Sequence, residues 1–83
     1  MNKILYFTAT WCGPCQVLGP TIDGLIAEGL SIQKIDIDKE QPTSSLYNIK
    51  NVPTLVKIDN GGNEIKRLVG NQPASIIKNW YNN

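Results

Sequence analysis

Histidine is absent from the 83 residues, and cysteine occurs only twice, at Cys12 and Cys15. A four-ligand zinc site of nitrogen and sulfur donors is therefore beyond this chain alone, and no metal is expected. Covalent haem attachment needs a histidine directly after a Cys-x-x-Cys step, whereas Gln16 follows Cys15. Long apolar runs are missing as well. The longest, Ile4 to Phe7, is far too short to span a bilayer or to form the apolar core of a secretory leader. Charge of one sign is not in excess: eight basic residues face seven acidic ones, and the lysines are scattered. No electrostatic footprint for nucleic acid or a membrane surface results. The expected location is the cytosol. Nor is there room for two cores, so residues 1–83 are read as a single domain without repeats or linkers.

What is there alternates between strand and helix patterns. Lys3 to Phe7 is apolar after its lysine, as in a strand covered on both faces. After a loop, a helix opens near Gly13-Pro14, where a first-turn proline has no N–H to leave unpaired. Val17, Leu18, Ile22, Leu25 and Ile26 form its apolar face, Pro20 kinks it and Gly29 closes it. Ser31 to Asp38 reads as a second strand, with Ile35 and Ile37 on one face and Ile32, Lys34 and Asp36 on the other. Pro42 to Asn48 is a short helix whose last residue can take a left-handed conformation. Thr54 to Ile58 and Glu64 to Val69 are strands joined by Asp59-Asn60-Gly61-Gly62-Asn63, a hairpin signal. Pro73 to Tyr81 is a final helix with Ile76, Ile77, Trp80 and Tyr81 as its buried stripe. The fold class is α/β in the order β-α-β-α-β-β-α. A helical crossover makes the first two strands parallel, and the hairpin makes the last two antiparallel.

The two cysteines carry the chemistry. A bridge between them closes so small a loop that it constrains the unfolded chain little, which favours a chemical role over a structural one. Disulfide exchange needs an attacking thiolate, a mixed-disulfide intermediate and a second thiol to resolve it. At a helix start, free N–H groups and the helix dipole stabilise a thiolate on the first cysteine. One turn on, the second cysteine lies beside it. Cys12 is thus the candidate nucleophile and Cys15 the candidate resolving thiol.

The segment Trp11-Cys12-Gly13-Pro14-Cys15, set between a strand and a helix, resembles the active site of the thioredoxin family. The resemblance covers nearly the whole chain and includes Pro20, Lys34, Asp38, Tyr47, Val52-Pro53-Thr54 and Gly70. It implies a four-stranded mixed sheet with helices on both faces, and a dithiol that reduces protein disulfides without a further cofactor. The implied partners are disulfide-containing proteins and a flavoprotein reductase, met by a monomer. It also implies that Pro53 follows a cis peptide bond opposite the cysteines, that Val52 offers its backbone to an extended substrate, and that Gly70 allows close approach. Trp11 and Pro14 would form the flat apolar rim, whereas Trp80 belongs to the core. A binding module with incidental thiols is the competing reading. A glutathione-linked reductant is a third, and Gly70-Asn71 lacks the double glycine that such a site would carry.

The sequence departs from the family in two ways. The N-terminal strand and helix of longer thioredoxins have no counterpart, so one sheet face should be covered mainly by the helix near Pro42 to Asn48. Lys57 is expected on that thinly covered face, its ammonium reaching water along the stem. Tyr6 stands where thioredoxins carry a buried acid, and the resemblance puts it with Lys34 beneath the active-site helix. A phenol, with an ordinary pKa of ~10, is a poor proton acceptor. It could hydrogen-bond Lys34 and leave the Cys15 proton to water or Asp36, or it could simply pack the core with its hydroxyl toward solvent.

Overall fold

The structure is a computed structural model and describes residues 2–82. Its elements are β1 (Lys3–Thr8), α1 (Gly13–Ala27), β2 (Ile32–Asp36), α2 (Gln41–Leu46), β3 (Thr54–Ile58), β4 (Glu64–Val69) and α3 (Ala74–Asn82). The strands form one sheet in the order β2-β1-β3-β4. β1 runs parallel to β2, with Tyr6 opposite Lys34, and antiparallel to β3, which in turn pairs antiparallel with β4. Among the described residues no helix is long and apolar enough to cross a membrane.

Strand alternation divides the core into two layers. Ile4 and Tyr6 of β1 and Leu55 of β3 point to the side where Leu18, Ile22 and Leu25 of α1 and Ile77 of α3 pack. Leu5, Phe7, Ile35, Val56 and Ile58 form the opposite cluster, which is covered by Ile37, Tyr47, Ile49 and Val52. This second cover comes from Ile37 just past β2, Tyr47 at the end of α2, and Ile49 and Val52 beyond it; α2 itself buries no residue, so the helix is not the main cover that the sequence suggests. Tyr47 is fastened there by its hydroxyl, which donates to Gly62 O (2.6 Å), and by Arg67 Nη2, which donates to Tyr47 O (2.7 Å).

The element ends follow from their residues. Past α1, Gly29 has φ +104°, and its N–H and that of Leu30 return to Ile26 O and Leu25 O. This pair of bonds satisfies carbonyls that the helix leaves open, and the conformation favours glycine. Asn48 repeats the device after α2 with φ +53°, while Asn48 and Ile49 donate to Ser45 O and Ser44 O. The second strand ends two residues earlier than its composition suggests. Asp36 Oδ1 accepts Asp38 N, and Asp36 O accepts Lys39 N and Glu40 N, which turns the chain away from the sheet.

Three expectations about burial need correction. Val17 of α1 is 65% exposed and Ile26 is also exposed. The buried arc is Cys15, Leu18, Ile22 and Leu25, and each residue turns a helix by about 100°, so Val17 and Ile26 swing off its edges. Ile76 of α3 is likewise exposed, leaving Ile77 as the buried residue with Trp80 and Tyr81 partly covered. Lys57 does not lie on the thin face. It shares a side with Leu55, is only 1% exposed, and its Nζ donates to Trp80 O (3.0 Å) and Tyr81 O (3.3 Å). A cation at the carbonyl end of α3 is favoured by those acceptors and by the helix dipole, so the ammonium needs no path to water. The Trp80 ring lies 5.7 Å from Nζ and completes the surround.

Candidate active site

β1, an interior strand, ends at Thr8, and the chain through Trp11 leads over to α1. Cys12 is the N-cap residue, with extended backbone angles of φ −90° and ψ 111°. Its N–H donates to Ala9 O, and its Sγ accepts the N–H of Cys15 over 3.1 Å. The cap is thus the sulfur itself, a role that oxygen-bearing side chains usually fill. Negative charge on this sulfur would meet a backbone donor and the positive end of a helix dipole. The first turn of α1 carries no acidic residue to oppose it. Pro14 lies within that turn, where its missing N–H leaves no carbonyl unpaired.

Cys12 and Cys15 are joined as a disulfide, with Cα atoms 5.2 Å apart. They pack with Ala9, and Ile37 and Val52 lie against them. Only 5% of Cys12 and 2% of Cys15 are exposed, so the pair meets solvent through a narrow opening. Across that opening, Val52 O lies 3.6 Å from Cys12 Sγ, and the Val52-Pro53 bond is cis. Pro53 O accepts Gly70 N (2.9 Å), which brings the end of β4 alongside. Gly70 has φ +90°, and the space where a side chain would stand is open. Trp11 is 66% exposed, with its indole N–H on Asp38 Oδ2 (2.8 Å), and Gly13 and Pro14 are exposed beside it.

The structure brings Cys12, Cys15, Val52, Pro53 and Gly70 together, as expected from the sequence. Lys34 and Tyr6 part company. Lys34 forms an ion pair with Asp23 of α1 and makes no hydrogen bond to the phenol. Tyr6 is 1% exposed and donates its hydroxyl to Cys15 O over 3.1 Å, so that hydroxyl reaches neither Lys34 nor solvent. Asp36, the other candidate proton acceptor, takes the Asp38 N–H on its Oδ1. Sequence reasoning missed Asp23 as the partner of Lys34 and Asp38 as the acceptor for Trp11. Both pairs are far apart in the chain and carry no local signal.

The family model for thioredoxin matches residues 2–83. The chain belongs to the thioredoxin family. A thioredoxin of Chlamydia pneumoniae is 37% identical over 78 residues, covering 92% of this chain and 76% of that one. Among solved structures, a mutant thioredoxin from Halobacterium salinarum superposes with a TM-score of 0.86 at 36% identity, over 96% of this chain and 71% of that one. Reduced Schistosoma mansoni thioredoxin pre-protein gives a TM-score of 0.87 at 30% identity, over 98% and 76%. With its paired cysteines, this member of the family is a thiol–disulfide oxidoreductase. Thioredoxins act on disulfides with a redox-active cysteine pair and no cofactor, and a reductase returns them to the dithiol.

Proposed function

We propose that Cys12 is the nucleophile that opens a disulfide in a partner protein and that Cys15 closes the cycle. The Cys12 thiolate attacks one sulfur of the substrate disulfide, forming a mixed disulfide and expelling the other sulfur as thiolate. Cys15 then loses its proton and attacks Cys12 Sγ, releasing the second substrate thiol and leaving the Cys12–Cys15 disulfide. Two electrons have moved from protein to substrate. A flavoprotein of the thioredoxin-reductase kind returns them, with two protons, to restore the dithiol. The observation that carries this reading is the Cys15 N–H aimed at Cys12 Sγ at the start of α1.

The substrate segment lies extended against Val52, exchanging backbone hydrogen bonds as an added strand. Gly70 leaves room for its backbone, and Trp11, Gly13 and Pro14 form the rim. Lys34 supports the site at a distance, holding β2 to α1 through Asp23. In this reading residues 1–83 act as one domain, as a monomer, in the cytosol.

The test is reduction of insulin disulfides with thioredoxin reductase and NADPH as the electron source. Cys12→Ser should abolish turnover, and Cys15→Ser should accumulate a mixed disulfide with the substrate. Full activity of Cys12→Ser would overturn the assignment. Turnover with glutathione alone, equal to that with the reductase, would overturn the choice of partner.

A further inference from the structure

Tyr6 sits in the middle of β1 among Ile4, Leu18, Ile22 and Leu55, sealed from solvent. A phenol buried in so apolar a layer must place its hydroxyl proton on an acceptor. The acceptor is the carbonyl of Cys15, 3.1 Å away. That carbonyl lies at a weak point of α1. One residue later, the carbonyl of Gln16 faces Pro20, which has no N–H to offer it, so the helical ladder is interrupted directly behind the cysteine. An added donor on Cys15 O therefore holds the turn where the helix's own bonds are depleted.

We propose that Tyr6 is a positioning residue for the resolving step, its hydroxyl fixing the Cys15 peptide and easing negative charge on Cys15 Sγ. The proposal rests on Cys15 being the resolving thiol. Two effects act together. The bond sets where Cys15 Sγ points when Cys12 Sγ is tied to substrate. It also withdraws part of the negative end of the Cys15 carbonyl dipole, which belongs to the same residue as the sulfur that must ionise.

The surrounding charges are committed elsewhere. Asp23 on α1 pairs with Lys34 on β2, Asp36 takes the Asp38 N–H, and Asp38 takes the Trp11 indole. On β3, Lys57 is held by the far end of α3. Among the described residues no carboxylate hydrogen-bonds to Cys15, and a hydroxyl that donates to a carbonyl offers no base. In this proposal the Cys15 proton passes to the departing substrate thiolate, directly or through water. As the Cys12–substrate bond breaks, the Cys12–Cys15 bond forms and the substrate leaves as a neutral thiol.

The experiment is stopped-flow decay of a mixed disulfide formed on Cys12, followed from about pH 6 to 9 in wild type and in Tyr6→Phe. Losing one buried hydrogen bond should slow the decay about five- to tenfold and move its pH profile upward, with the rate of Cys12 attack unchanged. A second variant carries 3-fluorotyrosine at position 6, a stronger donor in the same shape, and should speed the decay. Equal decay rates and pH profiles across these proteins would overturn the proposal, as would an equal slowing of both steps. Failure of the dithiol reading is separate, since it would show as turnover surviving Cys12→Ser.

Discussion

The indole N–H of Trp11 donates to Asp38 Oδ2 over 2.8 Å, and this bond ties the loop ahead of Cys12 to the turn that follows β2. The pair is exposed, so it adds little to stability, under about 1 kcal/mol. Its effect is to hold a large flat ring in one orientation at the rim. Asp38→Ala should raise KM for a protein disulfide several-fold and leave the reaction with a small disulfide unchanged. Asp38→Asn keeps an acceptor oxygen and should stay near wild type. Parallel KM measurements on both substrates check this.

Gly70 is a second position beside the cysteines open to a direct test. Its φ of +90° is one that side chains resist, and no atom would block an added Cβ. Gly70→Ala should therefore cost about 1–2 kcal/mol through the backbone alone, seen as a lowered urea midpoint. In the proposed binding mode the methyl group would also stand in the path of the substrate chain. KM for a protein substrate should rise at temperatures where the variant is fully folded.

Lys57 anchors α3 from within. Lys57→Met preserves most of the stem's volume but leaves the Trp80 and Tyr81 carbonyls short of a donor, at a cost of about 1–3 kcal/mol. Lys57→Ala should cost more, because it also opens a cavity beside Trp80. Both should retain wild-type turnover when folded, since Pro53 and Lys57 stand near opposite ends of β3. Urea unfolding paired with the insulin assay separates the two effects.

Glu64 and Arg67 give a pH-dependent increment. Arg67 donates from Nε to Oε2 (2.6 Å) and from Nη2 to Oε1 (2.7 Å). These bonds hold the Glu64 carboxyl below its ordinary value of 4.5 and push the guanidinium above its ordinary range. Because folding depresses the carboxyl's pKa, the stability it adds is complete above about pH 4.5 and is lost as pH falls through the lower, folded-state value. The pair is a third exposed, so the increment is at most about 1 kcal/mol. Glu64→Gln should be less stable than wild type at pH 7, with the gap closing as the solution is made strongly acidic.

The strands of the hairpin were legible to the residue, because the Asp59–Asn63 turn marks where β3 stops and β4 starts, while Pro53 and Gly70 bound their outer ends. The cysteine pair and the Val52-Pro53-Thr54 step were legible because they are local motifs. Lys57 shows where that reading stopped. Alternation places it opposite Val56 and Ile58 correctly, but which side α3 covers depends on strand order and helix crossing, which no short pattern encodes. Tyr6 is similar: its burial was readable from β1, yet the carbonyl it binds lies nine residues on, in another element. Val17 and Ile26 fit the core pattern without being core, because apolar residues on the edge of a helical arc look the same in sequence as those at its centre.

The unequal covers on the two sides of the sheet have a consequence for motion. α1 and α3 close one layer, whereas the other is closed by a few side chains of a loop-like stretch, and Ile37 and Val52 belong both to that cover and to the packing of the cysteines. Segments with few buried apolar groups open most readily, and amide exchange reports such opening. Exchange should therefore be fast from residue 41 to residue 51 and slow in β1 and the middle of α1. The thiols are then backed by α1, while the cover that shares Ile37 and Val52 with them can yield. If a partner strand does lie along Val52 as proposed, changes between residues 41 and 51 should shift which proteins are accepted while the cysteines and their helix stay as they are.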